Sequence, residues 1–291
     1  MGKLARRRDG LDPQPAREAP GVTLSGAEDV ARVAEELYVE GPDTAALDAL
    51  VRGPALLRVD GLVAGYGPVE ILHGVSLRVG KGQSLCLIGP NGAGKSTVLH
   101  SIYGLADIRS GSIAVRDRDI TSLRATEKLE RAGMAYILQD NSVFPDMTVE
   151  ENLLMGGYLL PNRHEARHAT DRVLERYPRL AERRRQDAGV LSGGERRLLE
   201  ISRALIMDPS VLLVDEPSIG LEPRYIDMVF EILADLQRTE RKTIIMVEQN
   251  AKKGLEFADL GYVLVAGRIA LAGHGRTLLA DPEVGRLFLG G

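Results

Sequence analysis

The sequence predicts an α/β fold that carries an inserted helical subdomain, and three observations predict it. Residues 84–88 (SLCLI), 211–214 (VLLV) and 243–247 (TIIMV) are short, predominantly apolar runs without polar alternation, as expected of strands buried on both faces of a sheet. The first of them leads through a glycine-rich loop into a helical stretch from Lys95 to about Gly104. Between about 149 and 189 the pattern turns helical and charge-rich, with turn signals at Pro161, Asn162 and Pro178.

The main domain is expected over residues 56–291, with the helical subdomain at about 149–190. It opens on strands at 56–59 and 75–79. It closes on a hairpin in which 262–265 turn at Ala266 and Gly267 into 268–271. Residues 1–55 read as an N-terminal extension, partly disordered, since the chain is polar and Pro-rich as far as Gly21. A short helix follows, in which Ser25 precedes Glu28 at capping-box spacing and Val30, Val33, Ala34 and Leu37 share a face. Gly41 and Pro42 end it, and a second short helix is expected over 43–51. No internal repeat is visible.

With 291 residues, 44% hydrophobic and 27% charged, the chain can bury a sizeable core. A net charge of −4 argues against a surface dominated by basic residues, and no nucleic-acid partner is expected. The single cysteine, Cys86, lies in an apolar run and reads as a core residue. Met1 to Arg8 are basic, but charges and prolines follow where a secretory leader would have an apolar segment. No run approaches the roughly 18 apolar residues that span a bilayer. A cytosolic protein is expected, with any membrane attachment supplied by a partner.

Gly89, Pro90, Asn91, Gly92, Ala93, Gly94, Lys95, Ser96 and Thr97 fit G-x-x-x-x-G-K-[ST], the nucleotide phosphate-binding loop, in the strand–loop–helix context that it requires. Glycines let backbone N–H groups converge on phosphate oxygens, and the following helix adds the positive end of its dipole. Lys95 should reach the β- and γ-phosphates, Ser96 should ligate magnesium and Thr97 should support the α-phosphate. A second apolar strand, 211–214, delivers Asp215 and Glu216 to a sheet edge. This places Asp215 toward magnesium and makes Glu216 the general base for an attacking water. A third feature is Ser192, Gly193 and Gly194 at the start of a helix, a ready anion site. On that helix Leu198, Ile201, Ser202 and Leu205 form the buried face, and Arg196, Arg197, Glu200 and Arg203 are expected to look outward.

Taken together these motifs resemble the ABC-type ATPases over about residues 56–291. The resemblance implies a P-loop NTPase of ABC type, with a mixed sheet core, an antiparallel β subdomain and an inserted helical subdomain, and with ATP and Mg2+ as cofactors. It implies that Tyr66 stacks on adenine, that Gln139 approaches magnesium and the attacking water, and that 218–221 is a dimer-contact loop. It further implies that Ser192, Gly193 and Gly194 close over ATP held by the Gly89 loop of a second subunit. One position departs: Gln249 stands where the family usually has a γ-phosphate-sensing histidine. Either the site turns over with Glu216 and a glutamine sensor, or it hydrolyses slowly beside a more active partner. The five histidines, His73, His100, His164, His168 and His274, lie elsewhere and read as surface or packing residues.

Residues 247–250 (VEQN), 147–153 (MTVEENL), 155–158 (MGGY) and the ending 287–291 look like the ATPase subunits of branched-chain and hydrophobic amino acid importers, a group that includes relatives serving urea or short amides. The expected partners are a second ABC ATPase subunit, identical or related, transmembrane permease subunits and, indirectly, a solute-binding protein. The expected location is cytoplasmic, peripheral on the inner face of the plasma membrane. Coupling to the permease is expected through 139–152, while Arg183, Arg184 and Arg185 read as a solvated charge run. The alternatives are an ABC ATPase for another solute, an exporter subunit such as one for lipopolysaccharide extraction, and a soluble ABC ATPase in repair or assembly.

Overall fold

A computed structural model describes residues 41–139 and 142–288. The expected disordered arm and the helix built on Ser25 to Leu37 lie outside the described residues, as do Asp140, Asn141 and the last three residues of the tail.

Helix α1 (Thr44–Leu50) comes first, capped by the Asp43 carboxylate, which accepts from the Ala46 N–H at 2.8 Å. Strands β1 (Ala55–Tyr66) and β2 (Val69–Gly80) form a long antiparallel hairpin. Both run well past the short stretches expected at 56–59 and 75–79. Register shifts between Val59 and Leu62 and again near Ala64 break the two-residue alternation, so the sequence pattern fades where the strand continues. β3 (Ser84–Ile88) feeds the glycine-rich loop and helix α2 (Lys95–Tyr103). β4 (Asp107–Val115) and β5 (Arg118–Asp119) complete a four-stranded sheet of order β2-β1-β4-β5. Next come α3 (Ala125–Ala132) and β6 (Met134–Ile137).

The helical part comprises α4 (Val149–Gly156), α5 (Arg163–Arg176) and α6 (Pro178–Ala181), and α7 (Gly193–Leu205) leads back to the sheet. β7 (Val211–Asp215), α8 (Pro223–Glu240), β8 (Thr243–Val247), α9 (Ala251–Phe257), β9 (Leu260–Val265), β10 (Arg268–His274), α10 (Gly275–Leu279) and α11 (Pro282–Phe288) follow. The second sheet has the order β10-β9-β3-β8-β7-β6. It is parallel from β9 through β6, and β10 is antiparallel at its edge, so the mixed sheet and the antiparallel sheet implied by the family resemblance are both present.

Burial explains the unalternated strands. Leu85 and Leu87 face one core with Val98, Leu99 and Ile102 of α2 and with Leu57 and Val59 of β1. Cys86 and Ile88 face a second core with Val229, Leu233 and Leu236 of α8. Apolar helices or sheets cover both faces, so most positions are apolar, and the buried exceptions Ser84 and Thr243 are hydrogen-bonded. Burial also pushes the Cys86 thiol pKa up, consistent with an inert core residue. A third cluster, with Val149, Leu153, Val173 and Leu180, fills the helical part. Helix α7 joins two cores, giving Leu198 and Leu199 to the third and Ile201 to the second. Arg183 and Arg184, read as solvated, are engaged: Arg183 Nε pairs with Glu195 at 2.7 Å, and Arg184 with Glu150 at 2.6 Å and Asp171 at 3.0 Å.

Helix α1 is docked through Leu47, fully buried in the first core. Beside it, buried Arg78 donates to Asp48 at 2.8 Å and to the Val59 carbonyl at 2.8 Å. Leu47→Ala is therefore expected to lower the unfolding free energy by about 2–5 kcal/mol in urea melts, as loss of a buried leucine does elsewhere.

Candidate functional site

Strand β3 ends at Ile88, and the chain turns at Gly89 with φ 150°. A Cβ on Gly89 would stand 2.1 Å from the Leu264 carbonyl oxygen, so only glycine lets the loop lie against β9. The same hairpin grips the loop again where the Gly267 N–H donates to the Ala93 carbonyl at 3.0 Å. Gly94 is the N-cap of α2 and offers no side-chain acceptor. The first N–H groups of the helix are thus left to an outside anion, at the positive end of the helix dipole. Lys95 is 6% exposed, and its Nζ donates to the carbonyls of Gly89 at 2.9 Å and Pro90 at 3.0 Å. Burial lowers its pKa, while the nearby charges of Glu216 and Asp215 work in the opposite direction.

Strand β7 carries Asp215 to the carboxyl edge, in register with Val247 at the end of β8. Its side chain is 3% exposed, yet both oxygens are held: Oδ1 accepts from Ser96 Oγ at 3.0 Å and Oδ2 from the Tyr136 hydroxyl at 2.7 Å. Burial, reinforced by Asp215, pushes the Tyr136 phenol pKa up, so it stays a donor. Ser96 Oγ and the Asp215 carboxylate are hard oxygen donors placed side by side. Among the described residues no group of three or more His, Cys, Asp or Glu could hold a metal ion. This donor set suits Mg2+, which takes one or two protein oxygens and completes its shell with water and substrate phosphates. Glu216 follows at φ 41°, a left-handed conformation that costs a side-chain-bearing residue about 1–2 kcal/mol. Its N–H donates to the Val247 carbonyl at 2.9 Å, which holds the turn.

The expectation that Arg197 and Glu200 look outward is wrong. Arg196 is exposed, but Arg197 is 4% exposed and Glu200 7%. Arg197 Nη1 donates to Glu200 and to the Leu138 carbonyl, both at 2.7 Å, and Nη2 to the Asp215 carbonyl at 3.3 Å. The strand ends of β6 and β7 leave carbonyls beyond the last ladder bond, and an arginine fork satisfies both where a leucine could not. Helix α7 is thereby tied to the backbone of Asp215 and to the residue preceding Gln139. The sequence signal for this was slight: two opposite charges three residues apart, which read equally as a surface pair.

The remaining sequence-predicted residues are placed as follows. Tyr66 ends β1, 40% exposed, with its hydroxyl hydrogen-bonded to His100 Nδ1. His100 meets Tyr66 edge-on at 6.0 Å and Tyr136 at 5.7 Å, so an aromatic row leads from Tyr66 to the hydroxyl on Asp215. No motif in the sequence marks His100 or Tyr136 as a site residue. Gln139 is half-buried just past β6. Gln249 is exposed just past β8, its carbonyl accepting from the Ala251 N–H at 3.0 Å. Ser192 caps α7 in a reciprocal box: Glu195 Oε2 accepts from the Ser192 N–H at 3.0 Å and from its Oγ at 2.9 Å. Gly193 is exposed, and a Cβ on Gly194 would fall 2.1 Å from the Tyr225 ring. Among the described residues no hydrogen bond joins 192–194 to the 89–97 loop.

The profile of the ABC transporter family matches residues 72–219. The high-affinity branched-chain amino acid transport ATP-binding protein BraG of Pseudomonas aeruginosa is 43% identical over 236 residues, covering 81% of this chain and all of that protein. The probable branched-chain amino acid transport ATP-binding protein LivF of Archaeoglobus fulgidus is 37% identical over 235 residues, 81% of this chain and 99% of that one. Among solved structures, the ADP conformation of an ATP-binding cassette of an ABC transporter superposes with a TM-score of 0.73 at 30% identity, covering 82% of this chain and 100% of that chain.

Truncating Arg197 would strand Glu200 and two strand-end carbonyls in the interior. Arg197→Ala is expected to cost about 3–5 kcal/mol in urea unfolding, against a fraction of that for Arg196→Ala on the exposed side of the same helix.

Proposed function

The chain belongs to the ABC transporter family and binds and hydrolyses ATP, and from that premise we propose that it is the energising subunit of an importer for branched-chain or other hydrophobic amino acids. The observation that carries the chemistry is the meeting of Ser96 and Asp215 at 3.0 Å beside the glycine loop and Lys95. The printed roles of the two branched-chain relatives support the choice of solute.

In the proposed mechanism backbone N–H groups of the 89–97 loop other than Pro90, which has none, bind the phosphates, and Lys95 exchanges the carbonyls of Gly89 and Pro90 for β- and γ-phosphate oxygens. Tyr66 offers its ring face to adenine. Ser96 and Asp215 would hold Mg2+, with Gln139 beside them. Bound there, Mg2+ supplies neutralising charge to the phosphate oxygens. Glu216 accepts the proton of the attacking water, and Gln249 donates an amide hydrogen bond toward the γ-phosphate. The capped helix start at Ser192, Gly193 and Gly194 has no bond to its own phosphate loop among the described residues, which supports a reading in which it faces ATP held by a second subunit, identical or related.

No helix among the described residues is long and apolar enough to cross a membrane. Phe144, Met155 and Tyr158 are exposed at 45%, 41% and 80%, apolar side chains suited to contact with a permease loop. In this reading the protein sits at the inner face of the plasma membrane through permease subunits, which receive solute from a binding protein. Disrupting the gene is expected to abolish uptake of labelled leucine or a related solute; unchanged uptake across that class would sink the solute assignment.

Three variants test the chemistry. Lys95→Ala should abolish ATP binding, and Glu216→Gln should bind ATP normally, stop turnover and trap a dimer on a sizing column. Tyr136→Phe removes one of the two hydroxyls that orient Asp215. Mn2+ binding in the presence of a non-hydrolysable nucleotide should weaken roughly tenfold, the lower range for an outer-shell partner.

A further inference from the structure

The loops that follow β7 and β8 are joined by a buried carboxylate that none of the steps above uses. Glu248, next to Gln249, is 1% exposed. Its Oε1 accepts from Ser218 Oγ at 2.7 Å and from the Asn250 N–H at 2.9 Å. Its Oε2 is buried without a hydrogen-bond partner among the described residues. Ser218 is itself buried, two residues beyond Glu216, in the segment that leads to Leu221. Asn250 in turn caps α9, its Oδ1 accepting from the Lys253 N–H at 3.1 Å. Helix α9 presses on the far side of the carboxylate: a Cβ on Gly254 would come within 3.2 Å of Glu248 Cβ and 2.6 Å of Cys86 Sγ.

Stability alone does not favour this arrangement. A buried carboxylate with one unpaired oxygen is costly, and apolar side chains in place of both the acceptor and its donors often serve an interior equally well. What the carboxylate supplies, and leucine cannot, is one acceptor shared by two loops.

We propose that Glu248 is a positioning residue for ATP hydrolysis. Holding Ser218 and Asn250 on one oxygen, it locks the segment that follows Glu216 to the segment that bears Gln249, so Gln249 is set in place by the loop at 218–221. The proposal rests on the roles given to Glu216 and Gln249 above.

Steady-state ATPase kinetics and thermal melts of the full chain test it. Glu248→Leu is expected to lower kcat about tenfold with KM for ATP changed less than about twofold, together with a lower melting midpoint because the Ser218 hydroxyl loses its acceptor, so kinetics are read well below that midpoint. Glu248→Gln keeps an amide oxygen at the same place and should retain more than about half of kcat, a rescue that a requirement for charge would not give. Ser218→Ala should slow turnover, and adding it to Glu248→Leu should produce no further loss, because both remove one interaction. Undiminished kcat in Glu248→Leu, a fall in kcat in Glu248→Gln as large as that in Glu248→Leu, or additive losses in the double variant would each overturn the proposal. Gln249→Ala separates the two layers. If it slows turnover and Glu248→Leu does not, the positioning role alone fails. If Gln249→Ala leaves kcat unchanged, the sensor assignment fails and the positioning role with it.

Discussion

Asp215 holds a carboxylate at 3% exposure, and the site depends on how that charge is accommodated. Taking a carboxylate out of water costs several kcal/mol unless donors replace the solvent. Here the donors come from different parts of the chain, Ser96 at the start of α2 and Tyr136 on β6, while Arg197 of α7 takes the backbone carbonyl. The phosphate-loop helix, a neighbouring strand and the helix that begins at Gly193 are thus referred to one residue. A displacement of any of them is felt at the oxygens proposed to face the metal ion.

The two glycine-rich helix starts are built differently, and the difference matches their proposed tasks. At α2 the cap is a glycine with no side-chain acceptor, so the positive end of the helix is left for a ligand. At α7 the reciprocal box of Ser192 and Glu195 supplies its own acceptors, and Arg183 balances the glutamate at 2.7 Å. The first is arranged to take phosphate deeply, against backbone that leaves room for no side chain at Gly89. The second is a self-sufficient helix end with exposed Gly193, suited to a contact made and broken at a surface.

Two buried charged side chains, Arg197 and Glu248, link segments that chain connectivity leaves apart. Each has a side-chain atom without a hydrogen-bond partner among the described residues, Arg197 Nε and Glu248 Oε2. An interior optimised for stability alone would seldom keep such groups. Their common feature is location: both lie where strands β6, β7 and β8 release the chain into the loops of the site. Strand ends leave carbonyls and N–H groups that the ladder no longer satisfies, and long polar side chains gather these groups across neighbouring loops.

The sequence by itself determined the parts whose chemistry is local. The strand at 84–88, the loop at Gly89 and helix α2 follow from apolar run, glycine placement and helical period over adjacent residues, and Asp215 and Glu216 follow from a strand that ends in two acids. The helical stretch and the closing hairpin were legible for the same reason. Tertiary structure alone decided what those residues touch. β4 was invisible because only two of its nine residues are buried, and the full length of β1 and β2 because bulges shift their alternation. Tyr136, Arg197 and Glu248 carry no local signature: a tyrosine in an apolar run, an arginine on a charged helix and a glutamate after a strand each read equally well as packing or surface. Their roles arise from partners 79, 18 and 30 residues away in the chain. Hydrogen bonds over such separations are set by how sheets and helices pack, which no window along the sequence contains.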